Sequence, residues 1–214
     1  ASFNTPPDIL DPGRFPDLLK ALGAKSSVTR LLAEDLQQAT RNWRVAERER
    51  LIERQKKRLP ATCANLLLQF YAAREIEFEK VLDKIFNCFS ITVSNRDDGK
   101  ISGFPDFVVE TSSGSILAIE CKSKTVGEAV TFNDATDVIR KANVNGYRDA
   151  FKVTICQPYI SLDVPRKINN CQELCVVNAE DLAEAFVKLK LEQINIDHIF
   201  DWLSRPGQAL SENL

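Results

Sequence analysis

Residues 103–124 constrain the fold of this chain most, because three charged side chains interrupt two apolar segments there. The segments flank the polar run 111–115, whose Ser and Gly residues are typical of a hairpin turn. Asp106 opens the first predicted strand, and Glu120 and Lys122 lie near the end of the second. Side chains alternate along a strand, so Glu120 and Lys122 share one face, and an antiparallel hairpin brings Asp106 roughly opposite Glu120. Two half-buried carboxylates at one point of a sheet are unfavourable unless a cation lies between them.

Pro105–Asp106 and Glu120–Cys121–Lys122 resemble the motif of the PD-(D/E)XK nuclease superfamily, also called restriction-endonuclease-like. A hairpin of the length that the family uses separates the two halves of the motif, with a glycine before it and strands on both sides. The dipeptide alone carries little information, since Pro16–Asp17 repeats it elsewhere in the chain. The resemblance covers residues 63–192. It implies an α/β fold in which helices flank a central mixed β-sheet, with an N-terminal helical extension.

The composition is typical of one globular domain, or of one domain with an appendage. The chain has 214 residues, of which 44% are hydrophobic and 27% charged. No apolar run is long enough to span a bilayer and no secretory leader opens the chain, so we expect a cytoplasmic protein. The net charge of −2 argues against a general nucleic-acid coat, but it is compatible with a locally basic cleft. The six cysteines are expected to be reduced thiols, because they occur in apolar or helical settings without close pairs. Cys171 and Cys175 come nearest to a metal spacing, but no second pair and no nearby histidine completes a zinc site.

Residues 1–62 are predicted to form an N-terminal helical region for recognition, an arm or dimer contacts, before a nuclease core with C-terminal helices at 63–214. A short helix is expected to stop at Gly23, and a long helix then runs from Ser26 or Ser27 to Leu59. Its first half has an apolar stripe that predicts packing on one side. The stripe consists of Val28, Leu31, Leu32, Leu36, Ala39 and Trp43.

The second half of this helix, residues 41–58, is dense in charge. It fits a basic arm that follows a phosphate backbone or extends to a second subunit. It also fits a solvated helix with ion pairs between residues four apart, which we favour. Within it, residues 56–58 are the best candidates for a contact cluster.

The next helix is predicted over residues 62–89, with Thr62 as its cap. At about 100° per residue, Glu75 and Glu79 fall on the apolar side of this helix and Glu77 points away. Nuclease relatives carry an acid on their first core helix, often after an aromatic residue, and Phe78–Glu79 resembles that pattern. Glu79 is therefore the predicted helix acid and Glu75 the alternative, although Glu79 also fits a surface residue beside the stripe.

The remaining chain alternates between strands and helices. Strands are predicted at 91–94, 151–159 and 174–177, and helices at 133–145, 179–192 and 196–203. Asn133 and Asn178 are the expected caps of the first two helices. Residues 95–100 are predicted as a turn, although Asp97 and Asp98 also fit metal ligands. Residues 163–167 are predicted as a loop, and the tail after the last helix as polar.

By the resemblance, a Mg²⁺ or Mn²⁺ ion is bound directly by Asp106, Glu120 and the backbone carbonyl of Cys121, and by Glu79 through water. Carboxylate oxygens suit such hard cations, which neutralise a phosphate and activate water. Lys122 would orient or deprotonate the attacking water and stabilise the developing charge. Three further cations are possible DNA contacts. These are Lys124, Arg140 and Lys141.

The resemblance implies a metal-dependent DNA endonuclease that hydrolyses phosphodiester bonds, most like a type II restriction endonuclease. The alternatives are a Holliday-junction-resolvase-like or repair nuclease, and a catalytically silent nuclease-fold module for DNA binding or assembly. Nucleases of these kinds cut two strands, so the implied partners are double-stranded DNA and a second copy of the chain. The only histidine, His198, lies on the last predicted helix, which argues against a histidine-dependent nuclease.

Overall fold

The computed structural model describes residues 9, 14–23, 27–96, 103–125, 128–161 and 163–214, apart from the side chains at 28, 95 and 96. The predictions made for Ser26, Asp97 and Asp98 lie outside the described residues. The chain divides into two compact units, Ala1–Arg54 and Gln55–Leu214.

The first unit contains the two predicted N-terminal helices, α1 (Phe15–Ala21) and the long α2 (Ser27–Lys57), which continues into the second unit. Gly23 has φ of +72° and follows α1 as the predicted C-terminal glycine. In the charged second half of α2, Arg50 forms an exposed ion pair with Glu47, three residues away rather than the four predicted, as in a solvated helix. Arg58, from the predicted contact cluster, belongs to the second unit and forms an ion pair at 2.5 Å with Glu184 of the same unit.

The predicted packing of the apolar stripe on α2 is wrong. Leu31, Leu32 and Trp43 are all at least half exposed. The buried positions are Ala33, Gln37 and Thr40, a set whose polar members were not expected to face inward. They are tolerated because Gln37 donates to the carbonyl of Ile9 at 3.1 Å and Thr40 to that of Leu36 at 2.7 Å.

A six-stranded mixed sheet forms the centre of the second unit, with its strands side by side in chain order. The strands are β1 (Val93–Arg96), β2 (Phe107–Glu110), β3 (Ile116–Ser123), β4 (Phe151–Gln157), β5 (Leu174–Asn178) and β6 (Gly207–Ala209). The first three pair antiparallel, and the pairs from β3 to β6 are parallel. The predicted α/β class with a mixed sheet flanked by helices is confirmed.

Helices precede the sheet and connect its parallel strands. They are α3 (Ala61–Ala72), α4 (Glu75–Cys88), α5 (Phe132–Val144), α6 (Asp163–Ile168), α7 (Ala179–Lys190) and α8 (Ile196–Leu203). Residues 174–177 of β5 are all buried, as expected of a parallel strand that is covered on both faces.

The predicted hairpin of β2 and β3 is confirmed. The strands pair from Phe107 opposite Ile119 to Glu110 opposite Ile116, and this register continues to Asp106 opposite Glu120. The turn is closed by the Thr111 N–H, which donates to the Ser115 carbonyl at 2.8 Å. Gly114 has φ of +80°, a conformation that favours glycine at this point of the turn.

The single helix predicted over residues 62–89 is wrong, because α3 and α4 are separate. Ala73 and Arg74 are extended, and Glu75 has φ of +49°. The Gln157 side chain donates to the Ala73 carbonyl at 2.5 Å, and the Glu75 N–H donates to Ser123 Oγ at 2.7 Å. Since Ser123 and Gln157 end β3 and β4, the break places the first turn of α4 at the carboxyl ends of those strands. The predicted cap is also wrong, because Pro60 precedes α3.

Three local predictions after the hairpin also need correction. Thr131 rather than Asn133 caps α5, through reciprocal hydrogen bonds with Asp134. Residues 163–167 are not a loop but part of α6, whose Pro165 lies in the first turn, where a missing N–H costs nothing. Asn178 precedes α7, but within the described residues its side chain accepts no hydrogen bond from that helix.

The polar tail after α8 adds a strand, β6, that the sequence did not predict. β6 pairs parallel to β5, with Cys175 opposite Gly207. Ser211 donates to Asp181 from its N–H at 2.8 Å and from its hydroxyl at 2.9 Å, and the Trp202 indole donates to the Leu210 carbonyl at 3.1 Å. These bonds attach the segment to α7 and α8.

Candidate active site

The motif residues converge at the carboxyl end of β3. Asp106 immediately precedes β2, while Glu120 and Lys122 lie near the end of β3. Lys141 reaches the same point from the last turn of α5, with its Nζ 2.5 Å from Glu120 Oε1 and 3.8 Å from Asp106 Oδ1. Both acids therefore lie within 4 Å of one ammonium.

Asp106 is buried, and its neighbours favour the protonated form. Its Oδ2 accepts a 2.6 Å hydrogen bond from the Cys121 N–H. Burial, together with the negative charges of Glu120 and Glu79, raises the pKa of Asp106 to about 8, even though the Cys121 N–H and Lys141 act in the opposite direction. Asp106 is thus an acid that a nearby cation would readily ionise.

Glu120 is only 2% exposed, and its two carboxylate oxygens differ. Oε1 accepts from Lys122 at 2.8 Å and from Lys141 at 2.5 Å. Oε2 is buried and has no hydrogen-bond partner among the described residues. A buried carboxylate oxygen without a donor is costly, and native structures seldom retain one without a reason.

Lys122 bridges two acids, and one of them was not predicted. Its Nζ donates to Glu120 Oε1 at 2.8 Å and to Asp137 Oδ2 at 3.1 Å. Burial alone would lower the pKa of Lys122, but its interactions with Glu120 and Asp137 outweigh burial and raise that pKa. Asp137 lies one helical turn before Lys141 on α5, so the four-residue spacing could have drawn attention to it.

The structure distinguishes the three candidate acids of α4. The charge of Glu79 contributes to the raised pKa of Asp106, which brings this carboxylate into the electrostatic environment of the cluster. Glu75 is exposed, and its backbone N–H donates to Ser123 at the end of β3. Glu77 is also exposed and pairs with Lys80 at 2.6 Å.

Two of the three predicted DNA contacts do not reach the buried carboxylates. Lys124 Nζ lies 3.0 Å from Asp134 Oδ1, and Arg140 donates to Asp137 Oδ1 from Nη2 at 2.9 Å. The Arg140 side chain is 64% exposed, so it remains accessible to an anion. Of these three cations, Lys141 is the one that lies within 4 Å of both motif acids.

The structure also describes the only histidine and the six cysteines. His198 is a surface residue that completes a capping box with Asn195 at the start of α8. All six cysteines are free thiols.

The donor set fits a hard divalent cation. Two buried carboxylates lie together, and one oxygen of Glu120 lacks a donor among the described residues. Burial and the negative charge of Glu120 raise the pKa of Asp106, so a cation bound here would favour its ionised form. Within the described ranges, no three or more His, Cys, Asp or Glu side chains are grouped closely enough to form a metal site by themselves. A cation here would therefore rely on Asp106 and Glu120, completed by backbone and water oxygens.

Comparisons with known proteins identify no relative of this chain. No family model, no curated protein and no solved structure matches it. In the part of the chain that the structure describes, no helix has the length and apolar character required to cross a membrane.

Proposed function

We propose that this protein is a metal-dependent DNA endonuclease with a restriction-endonuclease-like core, most like a type II restriction endonuclease. The observation that carries the proposal is the pair of buried carboxylates, Asp106 and Glu120, together with Glu120 Oε2, which has no hydrogen-bond partner among the described residues. Burying two acids side by side costs desolvation and repulsion, so packing alone does not favour such a pair. Perturbed acids of this kind are concentrated at functional sites.

Asp106 and Glu120 would hold a Mg²⁺ or Mn²⁺ ion, with the Cys121 carbonyl as a further ligand and Glu79 acting through water. When bound, such an ion supplies charge neutralisation at a phosphate and a more acidic water. The Cys121 N–H fixes the orientation of the Asp106 carboxylate. Glu120, held on β3, gives the site a second buried oxygen donor.

Lys122 would act on charge and orientation rather than as a base. The interactions with Glu120 and Asp137 raise the pKa of Lys122, which favours the protonated form of Nζ, and this form can donate to the attacking water or to a phosphate oxygen. Asp137 gives Nζ a second carboxylate partner besides Glu120. The exposed Arg140 and the half-buried Lys124 flank this point and would contact neighbouring phosphates of double-stranded DNA.

A catalytically silent nuclease-fold module is the second candidate, and one observation favours it. Glu120 Oε1 already accepts from two ammonium groups, those of Lys122 and Lys141. A site whose acid is neutralised by lysines could bind DNA without cutting it. The two candidates differ in their response to divalent cations.

A plasmid-nicking assay separates them. Supercoiled DNA is incubated with the wild type, Asp106→Ala and Lys122→Ala, each with Mg²⁺ and with a chelator. The endonuclease proposal predicts nicking by the wild type in Mg²⁺ alone and its loss in both variants. Activity that persists in chelator or in Asp106→Ala would contradict it, and DNA binding without cleavage under any divalent ion would support the silent module.

A second experiment identifies the kind of endonuclease. One defined genomic DNA is digested and the new ends are sequenced. Ends at a fixed short sequence indicate a restriction enzyme, as proposed. Ends at branched substrates only, or scattered ends, indicate a resolvase-like or repair nuclease.

A further inference from the structure

Lys141 interacts with the same carboxylates that a bound metal would need. Its Nζ lies 2.5 Å from Glu120 Oε1 and 3.8 Å from Asp106 Oδ1, and its side chain is only 14% exposed. An ammonium at this point and a divalent cation between the same acids are like charges a few ångströms apart in a poorly solvated place. Each therefore weakens the binding of the other.

We propose that Lys141 is an internal competitor for the metal site, an inference that rests on the proposed nuclease function. The competition lowers the affinity of Asp106 and Glu120 for a divalent cation. Because binding free energies are reciprocal, a bound cation must weaken the Lys141–Glu120 contact by the same factor. Lys122 is less easily displaced, since Asp137 gives its ammonium a second partner outside the acid pair.

The backbone beneath Lys141 is fixed, but its side chain can leave the acids by rotation alone. The Lys141 carbonyl accepts from the N–H of Asn145 at 3.2 Å and from its side-chain amide at 2.8 Å. That amide also donates to the Gly103 carbonyl at 2.8 Å, which ties this end of α5 to the approach of the hairpin. The four-carbon stem of lysine lets the released ammonium remain near the site.

The released ammonium is then available to a phosphate oxygen. A phosphate that attracts Lys141 removes the competitor from Glu120, so phosphate and metal favour each other's binding at this site. Lys141 would thus contact the anionic substrate and also couple the binding of that substrate to the binding of the metal.

Mn²⁺ titration of the full chain, followed by electron paramagnetic resonance, tests the competition. The chains compared are the wild type, Lys141→Met and the matched control Arg140→Met. Lys141→Met is expected to bind Mn²⁺ about 5–150-fold more tightly than the wild type, the usual range of coupling between two sites. Arg140→Met is expected to stay within about twofold, because its exposed pair with Asp137 contributes little to the buried acids.

Each other outcome overturns a defined claim. Equal affinities in the wild type and Lys141→Met, or weaker binding by the folded variant, overturn the competition and leave the nuclease proposal standing. No Mn²⁺ binding by any chain overturns the proposed function as well. If Lys141→Met does not fold, Lys141→Gln replaces it, since its amide can still donate to Glu120. Thermal denaturation is the second readout: Mn²⁺ should raise the Tm of the neutral variant more than that of the wild type.

Discussion

Lysines pair with carboxylates at two places on the same sheet, and the burial of those carboxylates differs. Near the start of β4, Lys152 is 1% exposed and donates to Glu173 at 2.8 Å and to the Arg148 carbonyl at 2.6 Å. The Glu173 side chain is 49% exposed, so that acid keeps much of its hydration. At the carboxyl end of β3, in contrast, Asp106 and Glu120 are themselves buried.

This difference separates a structural ion pair from a candidate site. A buried lysine needs only one partly hydrated acid and a carbonyl to be satisfied. Burying two acids together adds repulsion and desolvation that the neighbouring lysines do not remove, as the raised pKa of Asp106 shows. We therefore attribute the two buried carboxylates, Asp106 and Glu120, to a metal-dependent function.

The largest expected effect is on cleavage by Glu120→Gln. The variant loses the charge that we propose binds the cation but keeps the shape and the hydrogen bonds of the side chain. We expect cleavage of plasmid DNA to fall by about 10³-fold or more, because a lost metal ligand removes several kcal/mol of transition-state stabilisation. The matched control is Glu173→Gln, which removes the acid of the structural pair. Full activity of Glu120→Gln would place the chemistry elsewhere.

The next largest effect concerns the free energy of unfolding of the wild type, which should depend on pH through Asp106. Asp106→Asn should remove this dependence. The folded-state pKa of Asp106 is raised to about 8, so between about pH 4 and pH 8 the unfolded chain releases this proton while the folded chain retains it. In chelator, the free energy of unfolding of the wild type therefore falls as the pH rises through this range. At pH 9 we expect Asp106→Asn to be more stable than the wild type by roughly 2–4 kcal/mol. Urea denaturation at pH 5, 7 and 9 measures the difference, and parallel pH slopes for the two chains would contradict it.

Glu173→Gln should give the reverse pattern at the structural pair. It leaves the buried ammonium of Lys152 without a charged partner, and we expect the free energy of unfolding to fall by about 2 kcal/mol. Cleavage by the folded variant should equal that of the wild type. If urea denaturation shows no loss of stability, the contrast between the two lysine sites would fail.

A smaller effect is expected for Asp137→Asn. This variant removes the charge that holds Lys122 from the α5 side while leaving both motif acids intact. We expect the turnover number to fall by about 10–100-fold, as for residues that position a ligand, with little change in the KM for DNA. A change in KM alone would show that Asp137 acts on DNA binding rather than on Lys122.

The smallest effect is expected at the only histidine. His198→Ala removes the side chain that accepts from the Asn195 N–H at 3.1 Å, and should cost about 0.5–1 kcal/mol of stability with cleavage unchanged. Thermal denaturation and the nicking assay measure the two quantities. Loss of cleavage in a folded His198→Ala chain would restore a histidine-dependent mechanism.

The parts of the fold that could be predicted from the sequence depend on local patterns. The hairpin was predicted because alternation and turn residues lie within one short stretch, and the same alternation gave the shared face of Glu120 and Lys122. The break between α3 and α4 could not be predicted. The break is stabilised by two hydrogen bonds, from the Gln157 side chain and to the Ser123 hydroxyl, and both residues are distant in sequence. No Gly or Pro marks the position.

The sequence predicted the two acids of the candidate site, Asp106 and Glu120, but not the contacts that α5 makes with this site. Lys141 was predicted as a DNA contact, but its pairing with Glu120 depends on how α5 packs against β3. Asp137 was missed because its partner Lys122 lies on another element. β6 was missed because three residues, Gly207–Ala209, are too few to show a strand period.

The most direct test of the central claim is anomalous diffraction from a crystal soaked in Mn²⁺. The account predicts one strong peak between the carboxylates of Asp106 and Glu120, at about 2.1 Å from an oxygen of each. It also predicts the absence of that peak in Asp106→Asn crystals soaked in the same way. A wild-type crystal with no peak between these two side chains, or an equal peak in the variant, would contradict the claim that the acids converge to hold a divalent cation.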